Sequence, residues 1–318
     1  MTNKITNYEY SLATKAAWLS NVENKTLSEI ARYLNISTAK VHRLISTAEK
    51  NGYVKAWVAS YPEDCIAKAQ QIMANFSLAS CQVVPDKELN EQQSIDITGY
   101  AAAKELYAWL SRSKVKRIGV GQGRTLKSMA RSLPSISCPG VDFVAISGSI
   151  KQNHAIMKED VIHDLVTKTQ AKGFLLPHPY FALNQDKKNI FLAQPSILAL
   201  HEKALTSERI VVGIDDVINN SIFTNNHLLD EQLWQKVLQQ QAVAGFFGTL
   251  LDIDGQAIDA ANDLALGIKI AEILKCQTTV CAVVGGKSKG KAAVAALRTG
   301  AITDLIIGET SADFVLNY

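Results

Sequence analysis

From Val115 to the C-terminus, short β-branched runs alternate with stretches of helical spacing, and this alternation constrains the fold more than any other feature. Strands separated by helices pair most simply in parallel, with the helices covering both faces of the sheet. The strand-like runs are Arg117–Val120, Val141–Ile146, Gly173–Leu176, Ile210–Gly213, Ala244–Leu250, Thr278–Val284 and Leu305–Ile307. Helical patterns fall near 124–132, 159–171, 194–205, 230–240, 264–274, 288–299 and 309–317. The expected class is therefore α/β, a doubly wound sheet in which ligands bind outside the carboxyl ends of strands.

The first 58 residues read differently. Tyr8–Ser20 has helical spacing, and Thr26-Leu-Ser-Glu29 is a capping box that opens a helix over Leu27–Leu34, with Leu27, Ile30, Ala31 and Leu34 facing inward. Asn35-Ile36 forms a tight turn. Ser37 then caps a third helix that runs to about Asn51, burying Val41, Leu44, Ile45 and Ala48. Tyr53–Val58 reads as the strand of a wing. Two short helices joined by such a turn form a helix-turn-helix, whose second helix is sized for the DNA major groove. Ser37, Thr38, Lys40, His42 and Arg43, at the start of that helix, are the candidate DNA-contacting residues.

Charge agrees with this division. Residues 1–60 hold eight Lys and Arg against four acidic residues, so the head carries +4 and the rest of the chain −1 of the formal +3. A basic head on a near-neutral body suits a polyanionic partner. Hydrophobic residues at 47% and charged residues at 20% exclude a disordered chain. The longest apolar run, Ala242–Leu251, has ten residues, too few to span a bilayer, so no membrane partner is expected. Five scattered cysteines without a CxxC pair argue against a disulfide framework or a zinc site. With no apolar leader at the start, the expected address is the cytoplasm. Residues 59–114 contain a helix over Cys65–Asn75, a strand over Cys81–Val84, a polar stretch and a helix over Thr98–Ser111, and they link the 1–58 head to the remainder of a 59–318 body.

Two glycine-rich turns stand at strand ends. Gly119-Val-Gly121-Gln-Gly123-Arg-Thr125 lacks the third glycine of a dinucleotide fingerprint, because Arg124 occupies that place. Small residues, free amides, the Thr125 hydroxyl and a guanidinium at a helix start suit an anion; a turn needing glycine for geometry alone is the alternative. Gly285-Gly-Lys-Ser-Lys-Gly290-Lys291 approximates a P-loop but has Ala292 where a magnesium-binding hydroxyl belongs. Nucleotide hydrolysis is not expected there. A phosphate or sugar-oxygen site using amides, Ser288 and a lysine stands beside the alternative of solvated lysines. Asp252 sits at a strand end and can accept hydrogen bonds from a polyol, whereas Asp254-Gly255 reads as a turn. The six histidines are scattered, and their spacing defines neither a triad nor a metal cluster.

Taken together these segments resemble the SorC family of sugar-responsive bacterial transcriptional regulators. In the head the resemblance rests on Glu29-Ile-Ala31, Leu34-Asn-Ile-Ser37, Val41-His-Arg43-Leu and Ala48-Glu-Lys-Asn-Gly52-Tyr-Val54. In the body it rests on Gly119–Leu126, Ser147-Gly148, Val211-Val-Gly213-Ile, Asp252-x-Asp-Gly255, Gly285-Gly286-x-x-Lys289 and Ala295-Ala-Leu-Arg298. It implies a winged helix-turn-helix joined to an effector domain related in fold to sugar-phosphate isomerases, binding a sugar, polyol or sugar phosphate. By position, the effector would meet Gly121, Gln122, Gly123, Arg124, Thr125, Ser147, Gly148, Asp252 and Lys289. It also implies operator DNA as a partner, a homodimer or homotetramer, and no cofactor or metal. The chain departs from the family at Asp215, where Gly-Ile-Gly reads Gly213-Ile214-Asp215, and at Gly245, Ser149, Ile307-Gly308-Glu309 and Leu27.

The expected function is a DNA-binding regulator of a carbohydrate or polyol operon, not an enzyme. The rival is a sugar-phosphate isomerase or deaminase with an appended head. It needs a general base, for which Asp252 is the one evident candidate, and no acid partner is evident. A passive scaffold would explain neither the glycine turns nor the basic third helix.

Overall fold

The computed structural model describes residues 7–54, 60–112, 114–148, 161–218 and 228–318, which fall into two compact units divided between Ala59 and Ser60. The first unit contains α1 (Asn7–Asn21), α2 (Leu27–Leu34) and α3 (Thr38–Lys50). The capping box forms as its residue types require: Thr26 Oγ1 accepts from the Glu29 amide at 3.3 Å, and the Glu29 carboxylate accepts from the Thr26 amide at 2.7 Å. Asn35 ends α2 in the left-handed conformation at φ 52°, and Ser37 caps α3 by accepting from the Lys40 amide. Ile30, Val41 and Ala48 are fully buried with Ala13 and Ala16 of α1 in one small core. Leu27 departs from expectation. It is 40% exposed, because the first residue of this two-turn helix lies outside the face that packs on α1 and α3. The wing strand expected at Tyr53–Val58 lies mostly outside the described residues; Tyr53 and Val54 are not in a strand.

The second unit is built on a seven-stranded sheet comprising β1 (Ser80–Val84), β2 (Arg117–Val120), β3 (Asp142–Ala145), β4 (Lys172–Phe174), β5 (Arg209–Gly213), β9 (Thr279–Val284) and β10 (Asp304–Gly308). The order is β1-β10-β9-β5-β2-β3-β4, and each of these pairings is parallel. β9 reads Thr-Val-Cys-Ala-Val-Val and buries its last five residues, as a central strand covered on both faces must. After β2 the chain runs outward to β3 and β4, then returns to place β5 on the other side of β2. The topological switch point therefore lies between β2 and β5.

The sheet is covered by α4 (Glu63–Phe76), α5 (Glu91–Arg112), α6 (Arg124–Ser132), α7 (Val161–Thr169), α9 (Pro195–Leu205), α13 (Gly290–Arg298) and α14 (Glu309–Asn317); α8 (Gln185–Leu192) packs on α9, α10 (Glu231–Gln239) packs on the single-turn α11 (Asp259–Asn262), and α12 (Ile270–Ile273) is a second single turn. The start of α5 corrects the expected Thr98. Asn90 and Gln93 cap each other reciprocally, side chain to amide, at 2.9 and 3.0 Å, so the helix begins within the polar stretch. Likewise Asn184 accepts from the Lys187 amide and opens α8, which the sequence reading did not include. The helix expected over 264–274 contracts to Ile270–Ile273.

One expected strand is two. Ala244–Leu250 folds back on itself as β7 (Ala244–Phe246) and β8 (Thr249–Leu251), which pair antiparallel, with β6 (Asp215–Asp216) completing a separate three-stranded sheet. The turn is Phe247-Gly248, with φ of 50° and 69°. Two positive φ values across a two-residue loop make a type I′ hairpin, ordinarily announced by Asn-Gly. An aromatic residue at its first position hid the turn in an apolar run.

Candidate functional site

A cavity of about 260 Å³ opens at the switch point. Its floor is the carboxyl ends of β2, β3 and β5, which contribute Gly121, Ile146 and Ser147, and Val212 to Ile214. The Phe247-Gly248 hairpin and Tyr180 close one side, and Asp215 and Lys289 complete the wall. The volume is somewhat below the roughly 300–1,000 Å³ range of drug-sized pockets, which suits a small metabolite.

Gly121, Gln122, Gly123, Arg124 and Thr125 all line the cavity. Gly121 allows close passage over β5: a Cβ there would stand 3.3 Å from Val212 Cα. Gly123 is the N-cap of α6 at φ 128°, a conformation that L side chains rarely adopt. The bend sets the start of α6 on the cavity wall, and Arg124 follows, exposed, with Nη2 3.9 Å from Glu91 Oε1. Gln122 Nε2 donates to the Gly148 carbonyl at 3.0 Å, which fixes its amide. Thr125 is buried, and its hydroxyl lies 3.5 Å from the Gly285 carbonyl, joining the two glycine turns.

Lys289 reaches the same cavity from the loop after β9. Its ammonium donates to the Ile214 carbonyl at 2.6 Å. Burial lowers its pKa, while Asp215, the largest opposing charge, favours the charged form. Tyr180 is pushed the other way, burial first and Asp215 second raising its phenol. Asp215 thus acts electrostatically on two walls of the site. β6 brings it there by pairing with Gly245.

Three expected contacts fall elsewhere. Asp252 is not among the cavity residues. Its Oδ1 accepts from the amides of Asp254 and Gln256, both at 2.9 Å, so the carboxylate organises its own turn. Gly148 does not line the cavity either; a Cβ there would lie 2.4 Å from His178, so it is glycine for close packing, and it serves the site through Gln122. Ser288, in the P-loop-like turn, is exposed and absent from the wall. That turn is already filled by a carboxylate. Glu91 Oε2 accepts from the Lys287 amide at 2.7 Å, Ser94 Oγ accepts from the Gly286 amide at 3.1 Å, and a Cβ on Gly286 would strike Glu91 at 2.5 Å.

Asp215, Tyr180 and the Phe247-Gly248 hairpin are site residues that the sequence reading did not assign. Asp215 carried a signal, since it is the charged departure in Gly213-Ile214-Asp215; the other two carried none. The fold also pairs histidines that sequence spacing leaves apart. His178 Nε2 lies 3.2 Å from His201 Nε2, and burial lowers the pKa of each.

Among the described residues one three-donor group is spaced to hold a metal ion, Asp64, Cys65 and Glu309. Its chemistry does not favour one. Glu309 is paired with Lys68 and with Lys87, and burial pushes the Cys65 thiol up to about 11, leaving it protonated at neutral pH. In the head, Ser37, Thr38, Lys40, His42 and Arg43 are all exposed at the start of α3, while Val41 among them and Leu44 after them are buried. The Ser37 hydroxyl is engaged as the helix cap. Among the described residues no helix is long and apolar enough to cross a membrane.

Comparison with known proteins gives the family and the fold. Residues 60–317 match the family model described as "Putative sugar-binding domain". The chain is 27% identical over 305 residues to the erythritol catabolism regulatory protein EryD of Brucella abortus, covering 95% of each. It is 23% identical over 316 residues to the transcriptional regulator LsrR of Escherichia coli K12, covering 97% of this chain and 95% of the relative. Among solved structures it superposes on the full-length sorbitol operon regulator SorC of Klebsiella pneumoniae with a TM-score of 0.76 at 19% identity, covering 96% of this chain and 98% of that one. A DeoR family transcriptional regulator from Listeria monocytogenes gives 0.71 at 21% identity, covering 80% of this chain and all of the other. At such identities the superpositions speak to the fold.

Proposed function

Because the chain belongs to the SorC-type regulators that carry this sugar-binding domain, we propose that it is a transcriptional regulator of a carbohydrate or polyol catabolic operon, released from or fixed on its operator by a small polyhydroxylated effector. The observation that carries this reading is the cavity at the β2/β5 switch point, lined by the Gly121–Thr125 turn, Lys289 and Asp215 in a chain whose head presents Lys40 and Arg43 at the start of an exposed helix. Donors and a carboxylate in one small cleft suit a ligand rich in hydroxyls, which both gives and accepts hydrogen bonds. The head works as one of a pair: a single helix-turn-helix reads a short half-site weakly, and two related by symmetry read a palindrome. The effector shifts operator affinity only as far as its own affinities for the two states differ.

The enzyme reading named Asp252 as its base, and that carboxylate accepts from backbone amides and is not among the cavity residues, which favours the regulator. The test is salt-dependent binding of the full chain to DNA upstream of its own operon. Lys40→Ala should weaken binding across all sequences and reduce the salt slope by about one. Arg43→Ala should cost about 1–3 kcal/mol and blur base preference. If neither substitution changes the gel shift, the assignment of α3 to the major groove is wrong.

A further inference from the structure

We propose that Asp215 sets the chemical class of the effector, accepting hydroxyl groups of an uncharged polyol and excluding the phosphate ester that the Gly121–Thr125 turn would otherwise cradle. The inference rests on the proposed function and narrows it. A phosphate site at a helix start needs amides and cations whose charge is not already neutralised. Here both glycine turns are compensated. Arg124 and Lys289 are the cations on the cavity wall, and Asp215 shares that wall with them.

Two further carboxylates act on the same lysine. Glu91 and Asp216 both act on Lys289, together with Asp215, in the sense that keeps it charged. Asp216 is buried at 4% exposure, where its Oδ1 accepts from the Ile218 amide at 2.9 Å. Glu91 occupies the second turn as an anion would, taking the Lys287 amide and leaving room for no side chain on Gly286. A dianionic phosphate entering this cavity meets the Asp215 carboxylate on the wall, beside an Arg124 that already lies 3.9 Å from Glu91 and a Lys289 on which three carboxylates act. Like charges repel more strongly in a partly desolvated site than in water.

A neutral polyol meets the opposite situation. Each hydroxyl can donate to Asp215 and accept from Arg124 or Lys289, so a wall that carries both signs of charge offers charge-assisted partners. The cavity volume of about 260 Å³ favours a short chain of such groups.

The experiment is calorimetric and thermal-shift titration of the full chain with erythritol, ribitol and sorbitol, with the phosphate monoester of each, and with inorganic phosphate. At least one uncharged polyol should bind, and its phosphate ester should bind at least a hundredfold more weakly. Asp215→Asn keeps the side-chain shape and removes the charge. It should weaken the polyol at least fivefold and tighten the ester at least tenfold. An ester that binds wild type as tightly as its parent polyol and shifts operator affinity overturns this inference and leaves the proposed function standing. An unchanged polyol-to-ester ratio in Asp215→Asn overturns it as well. If no polyol or ester in the panel binds, both the inference and the effector site on which it rests fall.

Discussion

Replacing Gly123 with alanine isolates what the bend at the cavity mouth costs in backbone terms alone. Gly123 lies at φ 128° and ψ 166°, a region essentially reserved for glycine, yet a Cβ there would meet nothing within 4 Å. The penalty is therefore conformational, about 1–3 kcal/mol, with no contribution from crowding. Gly140 provides the control: it too faces open space, and its φ lies outside the left-handed region. Alanine at Gly140 should be neutral or stabilise by about 0.4–1 kcal/mol, by restricting the unfolded chain. Gly300, open and at φ 70°, belongs between them at about 1 kcal/mol. For a body of this size 1 kcal/mol moves Tm by about 2–4 °C. Scanning calorimetry of the full chain should thus show Gly123→Ala melting about 2–12 °C lower, Gly300→Ala a few degrees lower, and Gly140→Ala unchanged or higher. Since the same bend sets the start of α6 on the cavity wall, Gly123→Ala should also lose effector binding that Gly300→Ala retains. Coincident melting of Gly123→Ala and Gly140→Ala would refute the reasoning.

Two other outcomes follow from single contacts. Burial lowers the pKa of His178 and His201, so between those lowered values and about 6.5 the unfolded chain binds more protons than the folded one. Stability is accordingly full above about pH 6.5 and falls as pH drops through that window; His201→Gln should flatten the loss between about pH 7.5 and 5.5, and parallel Tm curves would exclude the pair as its source. Thr26→Ala removes the hydroxyl half of the α2 capping box and should cost the head about 1 kcal/mol, read as a lower denaturant midpoint for its helical signal.

Local signals that depend on neighbours in sequence were legible before any fold was known. Thr26 with Glu29, Ser37 before α3, Arg117–Val120, and the α6 bounds of Arg124 and Ser132 needed only capping chemistry, periodicity and the intolerance of a φ near 128° for any residue but glycine. Even the Asn90–Gln93 cap of α5 was present to be read, masked by its polar surroundings. What sequence could not supply is order across the sheet. That β5 lies beside β2, that Lys289 meets Ile214 across 75 residues, and that Glu91 fills a turn nearly 200 residues away depend on strand pairing between distant segments. Asp252 and Asp215 make the contrast concrete. Both sit beside strand ends in an apolar context, and the family resemblance favoured the first. The Phe247-Gly248 hairpin and the short pairing of β6 with β7 turned the second into the cavity and left the first to close its own loop, because a side chain's surroundings are set by which strands become neighbours and not by which residues precede it.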